Sequence, residues 1–219
     1  LNTSGTMNTA MGTQALTANT TGGNNTAAGS FSMRFNTTGY MNTALGYYTL
    51  LNNTTGSNNL AVGAQALYAN TTGWNNSALG HNSLGNNTTG SSNTAIGQNS
   101  LAVNSIGANN TALGMQSIFM NTTGSDNTAI GVDTLFSNTT GNYNVGMGNS
   151  ALRTNMTGYN NVAIGLESLY SNTTGYENIA VGGSSLRSNT TGGGNVGVGS
   201  NVLRFNTTGM QNVAVGYTT

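Results

Sequence analysis

Asn121-Thr-Thr-Gly-Ser-Asp-Asn-Thr-Ala-Ile-Gly-Val-Asp-Thr-Leu-Phe-Ser137 decides the fold, because the same phrase recurs thirteen times at an interval of 17 residues. Copies begin at Asn2, Asn19, Asn36, Asn53, Asn70, Asn87, Asn104, Asn121, Asn138, Asn155, Asn172, Asn189 and Asn206, with no insertion or deletion between them. Self-similarity at a fixed period is the signature of stacked units that each bury a face against the next. Catalysis needs unlike groups converging on one point, whereas a stack supplies like groups along a line. The expectation is a non-enzymatic protein with no cofactor and no metal.

Numbering the repeat from its first residue, Asn stands at positions 1 and 7 and Gly at positions 4 and 11 in every copy. Position 9 is Ala except for Gly146 and Gly197, and position 10 is apolar throughout, from Met11 to Val215. Position 15 is Leu apart from Met33 and Ile118. Seventeen residues with two fixed glycines are too short for a helix–turn–helix unit, and Gly is a poor helix former. Segments such as Asn161-Val-Ala-Ile-Gly165 instead read as short strands bounded by turn residues.

Each copy is then one coil: a strand, a Gly turn, a second short extended piece around Ser168-Leu169-Tyr170, and the Asn-Thr-Thr-Gly corner. The predicted fold class is all-β, a parallel β-solenoid of thirteen 17-residue coils. Coils ~4.8 Å apart would make an elongated rod of roughly 60 Å, a single repetitive domain over residues 1–219. Because Leu1 occupies the last position of a preceding copy and Thr219 leaves its own unfinished, the chain reads as a slice of a longer array.

Within such a stack identical Asn side chains can donate and accept from rung to rung, as amide ladders do in cross-β assemblies. Asn36, Asn53 and Asn70 are the candidate ladder of the first column, and Asn42, Asn59 and Asn76 that of the second. The sizeable side chains of position 10 form the expected core column, with Ala at 9 and Gly at 11 pointing the other way. A strand without charge on either face is usually covered on both. The second face is therefore expected to meet another chain, the alternative being a small Ala/Gly face left to water.

Charged residues are only 4% of the chain, four Arg against four Asp and Glu, with no Lys, Pro or Cys. Such a balance excludes a nucleic-acid partner, which needs a basic stripe. No apolar run approaches the ~18 residues of a membrane span. The lone His81 has no carboxylate close in sequence with which to form a nucleophilic triad. Asp does not recur in register, as a calcium roll would require.

Variation concentrates at positions 5, 6, 12, 13, 16 and 17, which hold every aromatic and every charge. Such positions lie on loops, where binding usually resides. Tyr40, Trp74, Tyr159 and Tyr176 at position 5, with Tyr68 and Tyr170 at position 16, are the candidate surface contacts. Exposed Tyr and Trp suit stacking on sugars or packing between fibres. Large side chains at position 16 could equally fold back over the coil as partial core.

Two further chemistries repeat. Asn-x-Thr acceptor sequences occur in register, with Asn19, Asn36, Asn53 and Asn70 as candidate glycosylation sites; a buried Asn ladder followed by Thr creates the same pattern. Thr at positions 2 and 3 of most copies can form stacked ranks, which offers an ice-binding or other ligand-binding solenoid as the rival reading.

The phrases Asn127-Thr-Ala-Ile-Gly131, Asn161-Val-Ala-Ile-Gly165-Leu-Glu-Ser168 and Asn178-Ile-Ala-Val-Gly182-Gly-Ser-Ser185 resemble the head repeats of YadA-like trimeric autotransporter adhesins. Similar phrases occur in tail-fibre-like and other secreted β-solenoid repeat proteins. The resemblance covers about half of each copy, and the period of 17 is longer than that family's. It implies a left-handed β-roll, a homo-oligomer of three chains, and attachment to host or matrix surfaces; the expected partner besides further copies of the chain is a glycan or cell-surface target. The expected role is the shaft or head of an extracellular fibre at a cell or virion surface, able to stack end to end as a filament.

Overall fold

The structure is a computed structural model that describes residues 3–218. It is all-β, with thirteen three-residue strands recurring every 17 residues and no helix among the described residues. The chain divides into two compact units, residues 1–109 and 110–219.

In the first unit β1 (Thr9–Met11), β2 (Thr26–Ala28), β3 (Thr43–Leu45), β4 (Leu60–Val62), β5 (Ser77–Leu79) and β6 (Thr94–Ile96) pair in sequence order, all parallel. The second unit repeats this with β7 (Thr111–Leu113), β8 (Thr128–Ile130), β9 (Val145–Met147), β10 (Val162–Ile164), β11 (Ile179–Val181), β12 (Val196–Val198) and β13 (Val213–Val215). Register never slips: Ala44 faces Ala61, and Ala163 faces Ala180. Each unit is a parallel β-solenoid with one repeat per coil.

Strands stop after three residues because Gly at position 11 turns the chain with φ near +130°, for example +120° at Gly63. A Cβ there would sit 2.7 Å from the carbonyl carbon and oxygen of Gly80 in the next coil. Conformation and close approach thus both demand glycine.

The next segment differs from the extended piece expected around Ser168-Leu169-Tyr170. It is a run of turns in which Glu167 and Leu169 have φ of +52° and +48°. The same left-handed pair recurs in other coils, as at Gln65 (+59°) and Leu67 (+51°). A non-glycine residue in this region costs roughly 1–2 kcal/mol. The reversal turns each amide along the stack, so that Gln65 N donates back to Tyr47 O (2.9 Å) and Leu67 N donates forward to Ser83 O (3.0 Å). Backbone bonding between coils offsets the local preference.

The Asn-Thr-Thr-Gly corner has a similar logic. The amides of Thr54, Thr55 and Gly56 all donate to Thr71 O, at 2.9, 3.2 and 3.3 Å, and Thr54 Oγ1 joins them at 3.1 Å. Three successive N–H groups facing one oxygen form a backbone nest. Here it clasps the neighbouring coil.

The core corrects the expected strand orientation. Ala at position 9 is the buried one, with Ala27, Ala44, Ala61, Ala95 and Ala163 all at 0% exposure. Position 10 faces outward, with Leu45 at 38%, Leu79 at 47% and Ile96 at 42%. The interior is so narrow that a methyl opposite the position 15 side chain fills it, as Ala61 and Leu67 do in one coil.

Two amide ladders close the rest of the interior. Asn36 Nδ2 donates to Asn19 Oδ1 (2.8 Å), Asn53 to Asn36 (2.7 Å) and Asn70 to Asn53 (2.9 Å). In the second column Asn59 Nδ2 donates to Asn42 Oδ1 (3.1 Å) and Asn76 to Asn59 (3.2 Å). The columns meet at the Gly of position 4: Gly73 O accepts from Asn70 Nδ2 (3.0 Å) and Asn59 Nδ2 (2.9 Å). Each such bond nets about 0.5–1.5 kcal/mol. The larger point is that buried amides left unpaired would oppose folding.

Candidate binding surface

Side chains outside this bonded frame stand in columns one rung apart, so contacts between them follow from which coil each occupies. At position 5, Tyr40, Trp74 and Tyr159 are exposed, while Tyr176 is half-buried. Tyr159 and Tyr176 lie on consecutive coils and stack, with centroids 5.4 Å apart and planes within 10°. The Tyr176 ring in turn covers Gly193, where a Cβ would meet it at 2.8 Å.

Tyr40 and Trp74 are separated by the coil that carries Ser57 at the same position. Between them opens a groove of about 230 Å³ lined by Tyr40, Thr55, Ser57, Asn58, Thr72 and Trp74. Ser57 Oγ accepts from Tyr40 N (3.1 Å) and donates to Thr55 O (3.2 Å). The backbone below is fixed as well, with Asn58 N on Tyr40 O (3.0 Å) and Asn75 N on Ser57 O (3.1 Å).

Position 16 behaves differently. Tyr68 and Tyr170 are half-buried, between the two placements the sequence allowed. In the second unit the column alternates ring and cation from Phe136 to Arg187: Arg153 lies 5.2 Å from the Phe136 centroid and 6.0 Å from that of Tyr170, and Arg187 lies 5.1 Å from Tyr170. Acids at position 13 complete the rank, with Asp133 3.6 Å from Arg153 and Glu167 2.7 Å from Arg187. Asp133 and Glu167 thus each face an arginine on the following coil. With a quarter to a third of each side chain exposed, these pairs contribute at most ~1 kcal/mol each.

One cluster lies outside the contacts expected from the sequence. Phe31, Tyr47 and Tyr48 gather with ring centroids 4.0–6.4 Å apart, Tyr68 joins Tyr48 edge-on at 6.1 Å, and Arg34 covers Phe31 at 5.5 Å. The signal was present, since Phe31 and Tyr48 occupy position 13 of successive copies. A hydrogen bond with the Tyr48 hydroxyl, aided by burial and by the neighbouring phenolate charge, raises the Tyr47 phenol above its ordinary value.

The sequon asparagines Asn19, Asn36, Asn53 and Asn70 are all at 0% exposure. Their Nδ2 atoms, where a glycan would attach, already donate to carbonyls inside the coil, as Asn53 Nδ2 does to Gly56 O (2.9 Å). In the folded coil they are ladder members with no access for sugar.

Among the described residues no three His, Cys, Asp or Glu side chains gather to hold a metal, and no helix is long and apolar enough to cross a membrane. No protein-family model, curated protein or solved structure matches the chain.

Proposed function

We propose that this chain is a non-enzymatic structural and adhesive repeat protein, forming the shaft or head of an extracellular fibre and assembling with further copies of itself. The observation that carries the reading is the outward sheet face of the second unit. Positions 8 and 10 are both apolar across β9–β12: Val145 and Met147, Val162 and Ile164, Ile179 and Val181, Val196 and Val198. Met147, Ile164, Ile179 and Val198 are each 37–41% exposed. A contiguous apolar strip without charge marks an interaction surface, and an identical strip on a second copy is its simplest complement.

The resemblance to trimeric adhesin heads supports the same reading, as does the placement of variable aromatics on outer columns. A chain with no Lys and four Arg also offers few trypsin-type cleavage sites, which suits an exterior location.

Light scattering over a concentration series tests this directly. A stable multiple of the 22.2 kDa chain is expected, reduced to the single chain when Ile164 and Ile179 are both changed to Lys. A monomeric wild-type protein would overturn it. Attachment to target surfaces is expected to fall when Tyr40, Trp74, Tyr159 and Tyr176 become Ser.

A second reading, adsorption to ice, is favoured by one observation. Thr at position 3 forms an exposed rank, as at Thr38, Thr55, Thr72 and Thr89. The position 2 hydroxyls do not contribute, because those of Thr71, Thr88 and Thr122 donate to backbone carbonyls of the next coil. Thermal hysteresis that disappears when the position 3 threonines are replaced would establish this reading.

A further inference from the structure

We infer that the groove between Tyr40 and Trp74 is a binding slot for a single neutral pyranose ring of a glycan. The inference rests on the adhesive reading above and gives it a ligand. Four observations carry it: wall spacing, lining chemistry, absence of charge and rigidity.

The walls stand two rungs apart, about 9.5 Å at the usual strand spacing. A flat guest sandwiched between two aromatic side chains needs only about 7 Å, two van der Waals contacts of ~3.5 Å. The extra width fits a puckered saccharide ring, whose C–H faces pack on aromatic side chains. The groove's 230 Å³ also suits one sugar ring better than a drug-sized ligand.

Between the walls the lining is polar and neutral: the hydroxyls of Thr55 and Thr72 and the amide of Asn58, over a floor of the buried Ser57, whose hydroxyl is already paired. Thr55, Thr72 and Asn58 are exposed, so their donors and acceptors are open to sugar hydroxyls. No Asp, Glu, Lys or Arg occurs in the three coils that build the slot, residues 36–86. That composition favours a neutral hexose over a uronic, sialic or sulfated sugar, for which a cation would be expected.

The slot is also held open before any ligand arrives. Bonds from Tyr40 N to Ser57 Oγ, from Asn58 N to Tyr40 O and from Asn75 N to Ser57 O tie its three coils together. Preorganisation lowers the ordering cost of binding.

Trp74 is the only tryptophan, so its fluorescence reports on the slot alone. We would titrate the intact chain with methyl β-D-glucopyranoside and methyl β-D-galactopyranoside, using D-glucuronate as the charged control. A saturable change with Kd on the order of millimolar is expected for at least one neutral sugar, with glucuronate weaker. Ser57→Tyr keeps both aromatic side chains and the reporter, gives up the acceptor of Tyr40 N while leaving the two backbone ties, and fills the gap, as Tyr176 does beside Tyr159. It is expected to raise Kd at least tenfold while circular dichroism stays unchanged.

No saturable response in the wild type, an unchanged Kd in Ser57→Tyr, or equal binding of glucuronate would each overturn the slot. Light scattering and surface attachment separate this from the broader reading. If oligomers form and attachment depends on Tyr40 and Trp74 while both glycosides leave the fluorescence unmoved, the slot fails and the adhesive fibre stands.

Discussion

The two units put the same column to opposite use. In residues 1–109, Tyr40 and Trp74 occupy position 5 of coils that flank Ser57, and a groove opens between them. In residues 110–219, Tyr159 and Tyr176 occupy position 5 of consecutive coils and stack at 5.4 Å. Backbone and column are the same, and only the order of large and small residues differs. A solenoid makes separation digital: adjacent rings satisfy one another, and rings two rungs apart leave a space for something else. Binding capacity along such a surface is then set by where the small residues fall.

The contrast holds only while the rungs keep their spacing, so its most damaging test is in the ladder. Asn70 Nδ2 donates to Asn53 Oδ1 and Gly73 O, and its Oδ1 accepts from Asn87 Nδ2 at 2.9 Å. Asn70→Ala removes the donor from a buried oxygen and the acceptor from a buried amide, at ~1–3 kcal/mol each, plus the void left behind. A loss of about 3–5 kcal/mol in urea unfolding is expected, together with blurring of the slot above it. Asn172→Ala, which breaks the bonds to Asn155 Oδ1 and Gly175 O, should cost the second unit as much. A cost below about 1 kcal/mol at both sites would show that the ladders do not hold the coils.

How far this frame was legible in the sequence differs from residue to residue. Asn at positions 1 and 7 could be assigned to ladders, because an invariant amide in a strict period has few other uses. The direction of the strand could not. In Val145-Gly146-Met147 both faces are uncharged, and a three-residue strand gives alternation too little length to be phased. Bulk suggested that Met147 lies inside, whereas the interior admits only the small residue at 146. The left-handed turns at Gln65 and Leu67 were hidden for another reason: neither residue type favours positive φ, and bonds to neighbouring coils impose it. At the surface, exposure of Tyr40 and Trp74 follows from variability, but the groove depends on Ser57, a single small residue at a variable position that carries no pattern of its own.

A smaller effect sharpens the difference between stacked and separated rings. Tyr159→Ser loses a parallel stack worth ~0.5–1.5 kcal/mol beyond area burial. Tyr40→Ser loses no ring–ring contact found among the described residues, so its cost is expected to stay within ~0.5 kcal/mol. Unfolding free-energy losses of the two variants, measured in denaturant, should therefore fall on opposite sides of that value. Equal destabilisation would mean that the pair on the second unit is mere proximity.

The weakest expected signal comes from positions 12 and 13, where the units diverge again. The second unit places Asp133 and Glu167 against arginines, whereas the first gathers Phe31, Tyr47 and Tyr48. Hydrogen bonding to Tyr48 favours the neutral Tyr47 phenol, as do burial and repulsion from a Tyr48 phenolate, so the Tyr47 pKa lies above the ordinary 10.0. A raised folded-state value means that the associated stabilisation is complete below the unfolded-state pKa and is lost as pH climbs through the folded one. Ultraviolet absorbance titration should accordingly show one of the nine tyrosines ionising late. Tyr48→Phe deletes the hydroxyl while keeping the ring 4.0 Å away, and should return that step to the ordinary range. A late step that survives Tyr48→Phe would overturn the role of the Tyr48 hydroxyl, making the cluster of the first unit a packing feature with no polar link.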